Sequence, residues 1–134
     1  MNFTVSGQPI PQPRARISTR GGFARGYVPA KHPIHAYRHA VATAAKVACS
    51  HPTDAHVTVK LCFTLARPPS HMSKSGVKAT APRFPKCDCD NLAKGCLDAM
   101  TGIVWYDDDQ VIELHVCKQY GTDGKTEVSI AHVP

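Results

Sequence analysis

The sequence predicts an α+β domain, one mixed β-sheet packed with two main helices, spanning residues 1–134 as a single unit. Three observations carry this. The chain has 134 residues and 43% hydrophobic content, enough for one core. Two stretches, near 33–50 and 90–102, repeat apolar residues at helical spacing. Three runs, 56–66, 110–120 and 126–133, have the character of strands. No internal repeat or shift of composition marks a domain boundary.

The opening MNFTVSGQPI alternates like a strand and breaks at Pro9. PIPQPRARIS is too rich in proline for a helix or a central strand, and reads as an extended arm carrying Arg14 and Arg16. TRGGFARGYVP is a glycine-rich loop or loose hairpin. In PIHAYRHAVATAAKVACS, Pro33 suits a first helical turn, and Tyr37, Val41, Ala44, Ala45 and Ala48 recur on one face. Val57, Val59, Leu61, Phe63 and Leu65 alternate as a half-buried strand. Residues 67–86 hold four prolines, five basic residues and no acid, the longest loop. The second helix is expected to start near Asp90 or Asn91, both good N-caps, and to bury Leu92, Cys96, Leu97 and Met100. Thr101-Gly102 stops it. GTDGK reads as a hairpin-type turn joining the last two strands.

No apolar run approaches the roughly 18–20 residues of a membrane span. The first residues lack a charged segment followed by an apolar one, so no signal peptide is expected. The expectation is a cytoplasmic protein with no membrane partner and with its six cysteines reduced. Cys62 and Cys117, in apolar runs, act as small hydrophobes.

The net charge is +6, but its distribution says more. Residues 1–53 contain no Asp or Glu, and Asp54 is the only acid before residue 88, against 13 lysines and arginines. A one-sided basic surface attracts a polyanion, and a phosphate backbone fits best. Arg14, Arg16, Lys74 and Lys78 are the candidate backbone contacts. Against this, CDCDNLAKGCLDAMTGIVWYDDDQ gathers six of the chain's ten acids: Asp88, Asp90, Asp98, Asp107, Asp108 and Asp109. Clustered carboxylates repel one another, a cost that a divalent cation offsets. Hard oxygen donors suit Mg²⁺, with Mn²⁺ as substitute. A basic surface with such an acidic pocket is what phosphodiester hydrolysis requires. Lys94 lies one turn after Asp90 and can neutralise charge on a reacting phosphate or make a routine helical pair; Asp98, a further turn on, can equally pair with it. Spacing alone equally allows the aspartates to be caps and a solvated turn.

The run Asp88-Cys-Asp90-Asn91-Leu92-Ala-Lys94, then Asp98-Ala99, then Asp107-Asp108-Asp109-Gln110-Val111 resembles the D-x-D-N-L-x-K … D-A … D-D-x-Q-[IV] signature of the RusA-type Holliday-junction resolvases. Pro9-Ile-Pro11-Gln-Pro13-Arg14-Ala-Arg16 is similar to the family's proline-rich, basic opening, Tyr27-Val28-Pro29 to its Tyr-x-Pro motif, and Lys118 stands at a family-like position. The resemblance covers nearly the whole chain. It implies a phage- or prophage-type, homodimeric, Mg²⁺-dependent endonuclease that nicks two strands symmetrically across a four-way DNA junction, in recombination and repair. It implies Asp88, Asp90 and Asp108 as metal carboxylates, with Asp107 the next candidate for the third, and Lys94 as the essential lysine. Cys87 and Cys89 depart from the usual pattern. With Cys96 and a nearby His they form a possible Zn²⁺ set, although C-x-C is not a usual zinc spacing. The alternatives are a nuclease for other branched DNA, a zinc-stabilised interaction module, or a catalytically silent DNA-binding protein of the same fold.

Overall fold

Val57–Ala66 (β4) is the centre of the sheet, because both of its edges are paired and one of its faces is buried. In the computed structural model of the protein, residues 1–134 are described, apart from the side chain of Arg16. The main sheet has the order β1-β8-β4-β7, with β1 at Asn2–Ser6, β7 at Val111–Gly121 and β8 at Lys125–His132. β8 lies antiparallel to both β1 and β4, and β7 lies parallel to β4. The sheet is therefore mixed, as predicted. A parallel neighbour requires a crossover, and the chain between β4 and β7 supplies it through the long loop and the second helix.

Helix α1 runs Pro33–Ala48 and α2 runs Cys89–Met100. His32 caps α1 by accepting the Ile34 backbone N–H at Nδ1. Its buried stripe is Ile34, Tyr37, Val41 and Ala45; Ala44 is half-buried and Ala48 lies exposed at the end. α2 buries Leu92, Ala93, Gly95, Cys96, Ala99 and Met100, while Leu97 is only half-buried. Both helices pack on the face of β4 that carries Val57, Val59, Leu61 and Phe63, and Val5, Val128, Ile130, Val104 and Trp105 complete the core. The other face of the sheet is open, with Lys60, Cys117 and Glu127 exposed on it. There Cys62 lies beside Cys117 across β4 and β7, and all six cysteines are free.

Two expectations change. GTDGK is not a hairpin turn, because β4 lies between β7 and β8. The connection instead steps across the end of β4, where Arg67 N–H donates to Gly121 O and Gly7 N–H to Gly124 O. The most continuously apolar strand takes the central place, so the two polar-faced strands flank it instead of pairing with each other. The second change is the start of α2. Asp88 occupies the N-cap position, ahead of both expected caps in sequence, and its side chain makes no capping hydrogen bond. Asp90 falls inside the first turn, and the Asn91 carbonyl accepts from Gln12 N–H. Gly102, with φ of +85°, ends α2 as predicted, in a conformation open to glycine.

The glycine-rich segment forms the expected hairpin, β2 (Arg16–Ser18) with β3 (Arg25–Tyr27). The long loop is shaped by a turn of 3₁₀ helix at Pro69–His71 and a two-residue hairpin, β5 (Met72–Ser73) with β6 (Gly76–Val77). No helix is long and apolar enough to cross a membrane.

A buried polar pair ties α1 to β8. The Tyr37 hydroxyl lies 2.6 Å from Thr126 Oγ1, with Tyr37 6% exposed and Thr126 fully buried. Tyr37→Phe leaves the Thr126 hydroxyl without this partner and is expected to lower stability by about 1–3 kcal/mol in urea unfolding. Adding Thr126→Val is expected to recover most of the loss, because both polar groups are then gone. A single variant as stable as the parent contradicts the pairing.

Candidate active site

The site is built around the two ends of α2. At its N-terminus, Asp88 and Asp90 are exposed, and neither carboxylate takes a hydrogen bond or ion pair among the described residues. A cap would have occupied one of them. The helix begins early enough that both stay open to solvent at the positive end of the helix dipole. The approach to this end is held from two sides. Gln12 N–H donates to Asn91 O, which docks the proline arm on α2, and Lys118 Nζ donates to Cys87 O at 2.6 Å. The arm is thus packed at its root rather than free, and Pro9 is buried. Arg14, His32 and Lys86 line a cleft of about 500 Å³ beside Asp88.

At the other end, Asp107–Gln110 forms a single 3₁₀ turn with divided roles. Asp107 is its N-cap and is engaged in a capping box with Gln110. Gln110 is buried, 8% exposed, and its amide joins four backbone groups. Oε1 accepts from Tyr106 N–H and Asp107 N–H at 2.8 and 2.9 Å, and Nε2 donates to Thr53 O and Ala55 O at 2.8 and 2.9 Å. Asp108 faces the helix instead. Its Oδ1 lies 2.5 Å from Thr101 Oγ1 at the C-cap of α2. The same hydroxyl lies 2.9 Å from Leu97 O and accepts from the buried Trp105 Nε1 at 3.1 Å. Thr101 and Gln110 are thus the residues that aim the acidic turn. The D-D-x-Q spacing pointed to Gln110 as part of a motif, but nothing in the sequence singled out Thr101.

One chain does not bring the three carboxylates together. A helix of 12 residues at about 1.5 Å per residue is about 18 Å long, with Asp88 and Asp90 at one end and Asp108 tethered to the other. Oxygen ligands of one Mg²⁺ stand about 2.0–2.1 Å from the ion, so no single ion reaches both ends. Among the described residues no three His, Cys, Asp or Glu side chains converge to hold a metal ion. The donor chemistry at each end still fits a hard divalent cation, because the carboxylates are exposed and at most singly hydrogen-bonded. Lys94 pairs with Asp98, Nζ to Oδ2 at 3.3 Å, midway along the helix, and remains 62% exposed. The zinc set fails on geometry. Cys96 is fully buried against Tyr37, and burial pushes its thiol up to about 12, whereas Cys87 and Cys89 lie at the helix start.

Of the expected backbone contacts, Arg14 is exposed at the cleft, and Lys74 and Lys78 are exposed on the long loop. Arg16 begins β2, and its side chain lies outside the described residues.

A basic domain with exposed carboxylates and a lysine along one solvent-facing helix has the charge pattern to meet a phosphodiester and a divalent cation together. Comparison with known proteins narrows this. Residues 6–131 match the family described as Endodeoxyribonuclease RusA, and the chain belongs to that family. It is also similar to a protein of Bacillus subtilis (strain 168) described as Uncharacterized protein YqaN, 32% identical over 142 residues, covering 99% of this chain and 96% of the relative.

The Gln110 amide is the clamp of the acidic turn. Gln110→Leu strands two buried N–H groups and two carbonyls, and is expected to cost at least about 2 kcal/mol in chemical denaturation. A loss under about 0.5 kcal/mol, the range of ordinary surface changes, contradicts the clamp.

Proposed function

We propose that the protein is a Mg²⁺-dependent endonuclease that resolves four-way DNA junctions by paired symmetric nicks, acting as a homodimer in DNA recombination and repair. The observation that carries this reading is the placement of free carboxylates at opposite ends of α2. Two copies related by a two-fold axis, with their α2 helices antiparallel, set Asp88 and Asp90 of one copy near Asp108 of the other. Each dimer then has two composite sites of opposite strand direction. A four-way junction has the same two-fold symmetry, so paired nicks follow from the assembly.

The surface next to α2 supports this pairing. β7 is an edge strand of 11 residues with one side unpaired. Ile112 and Leu114 are 55% and 41% exposed. The register pairs Leu114 with buried Val59, so Leu114 faces the helix-bearing side, yet it stays exposed there. An exposed apolar edge of this length calls for a partner, and a second copy of the chain is the occupant proposed.

In the composite site Asp88, Asp90 and Asp108 hold the ion. Bound Mg²⁺ or Mn²⁺ supplies activation of water and neutralisation of phosphate charge. Arg14 and Lys86 hold the backbone at the cleft, Lys74 and Lys78 extend that grip, and Lys94 turns from Asp98 to the charge that develops on the phosphate. Asp108 is favoured over Asp107 as third ligand because Asp107 is committed to its cap.

Asp90→Asn is expected to keep the fold and lower Mg²⁺-dependent junction nicking by roughly a hundredfold or more, with junction binding retained. Unchanged nicking by this variant overturns the assignment. A mixing experiment tests the composite site. Asp90→Asn and Asp108→Asn chains, each inactive alone, are expected to regain about a quarter of the parental nicking when mixed equally, because half the dimers then hold one intact site. No recovery, with subunit exchange verified, places all three carboxylates of a site in one chain.

A further inference from the structure

We propose that Phe84 is a base-stacking residue that selects the open bases of a branched DNA over continuous duplex. The inference deepens, and rests on, the reading of the protein as a junction nuclease. It starts from an anomaly of exposure. Phe84 is 54% exposed, although the short segment around it is anchored at three points. Arg67 Nη1 donates to Pro82 O at 2.8 Å, Pro85 is buried, and Lys118 holds Cys87 O. The first anchor is itself fixed, since the Arg67 guanidinium lies 4.4 Å from the centre of the Tyr120 ring. A single exposed phenylalanine on a loose loop has no special meaning. Here the anchors on either side hold the ring outward, and a side chain already ordered loses less freedom on binding.

The surroundings name the ligand. Arg83 and Lys86 flank the ring in sequence, and the Arg83 guanidinium lies 5.2 Å from its centre. Phe84 stands four residues before Asp88, on the same anchored approach to the free carboxylates. An aromatic face framed by cations and set beside a phosphate-cleaving site matches an unstacked nucleotide, with the ring on the base and the cations on its phosphates. Continuous duplex offers no open base face, whereas a branch point is opened more readily on binding, and opening it presents bases that have lost a stacking neighbour. The ring thus positions the strand at the branch next to the carboxylates and discriminates between DNA structures without reading sequence.

The test compares Phe84→Ala and Phe84→Trp with the parent chain. Affinity for a four-way junction and for a linear duplex is measured with Ca²⁺ in place of Mg²⁺, together with sedimentation and melting curves. Phe84→Ala is expected to lose about tenfold in junction affinity, the scale of one stacked base, with duplex affinity, dimer state and melting unchanged. Phe84→Trp is expected to restore the affinity. Its added indole should be quenched by junction and not by duplex, against a constant signal from Trp105, which is fully buried and the chain's only native tryptophan. An equal loss for junction and duplex, an unchanged junction affinity, or dissociation of the Phe84→Ala dimer each overturns the proposal while the nuclease reading stands. A parent chain with no preference for junctions and no metal-dependent nicking overturns both.

Discussion

Everything at the site follows from the rigid docking of α2 against the sheet. Leu92, Cys96 and Met100 are fully buried, and Trp105 closes over the end of the helix with its indole N–H on Thr101. Burying each large side chain contributes on the order of 1.5–3 kcal/mol, so the helix has one orientation and little freedom to slide. Its opposite, exposed face must then carry whatever the protein does with charge. Asp90, Lys94 and Asp98 lie along it, and Asp88 precedes it. The same rigidity that orders the carboxylates also holds them apart by the length of the helix. A flexible connection would let three acids close on one ion within a chain. This fold forbids it.

Electrostatics and packing pull in one direction here. The first 53 residues carry no acid, and the long loop adds five more cations. Acids placed at random on such a surface would weaken its attraction for phosphates. They are instead concentrated on α2 and the turn that follows it. Asp107 is taken up by its cap and Asp98 by Lys94, which leaves Asp88, Asp90, Asp108 and Asp109 with little or no internal compensation. Uncompensated like charges on a rigid frame are the arrangement a divalent cation stabilises most.

A second layer of residues carries the precision. Thr101 and Gln110 contribute no charge, yet they settle where the acidic turn points. Thr101 joins the end of α2 to Asp108 through one hydroxyl, and Gln110 gathers the turn and the Thr53–Ala55 segment through one amide. Lys118 does the same for the other end by holding the Cys87 carbonyl. Each uses a side-chain hydrogen bond to backbone or to another side chain, and those of Gln110 and Lys118 join segments far apart in sequence. Such bonds are strong where they are shielded from water.

Local pattern was enough for the α+β class, both helices, the three long strands, the glycine stop at Gly102 and the choice of acidic and basic residues worth watching. Those features depend on neighbours within a few positions, through helical or strand periodicity and charge density. The start of α2 was not legible to the residue, because Asp88, Asp90 and Asn91 are all acceptable caps and only packing with Gln12 and the core selects among them. The place of β8 was not legible either. A short glycine turn invites a hairpin, and only competition for the central position, won by β4, sends the strand across. The sequence by itself therefore determined which charged residues are concentrated in one segment. Only the tertiary structure decided their separation, since a helix converts twelve residues of sequence into about 18 Å of rigid distance.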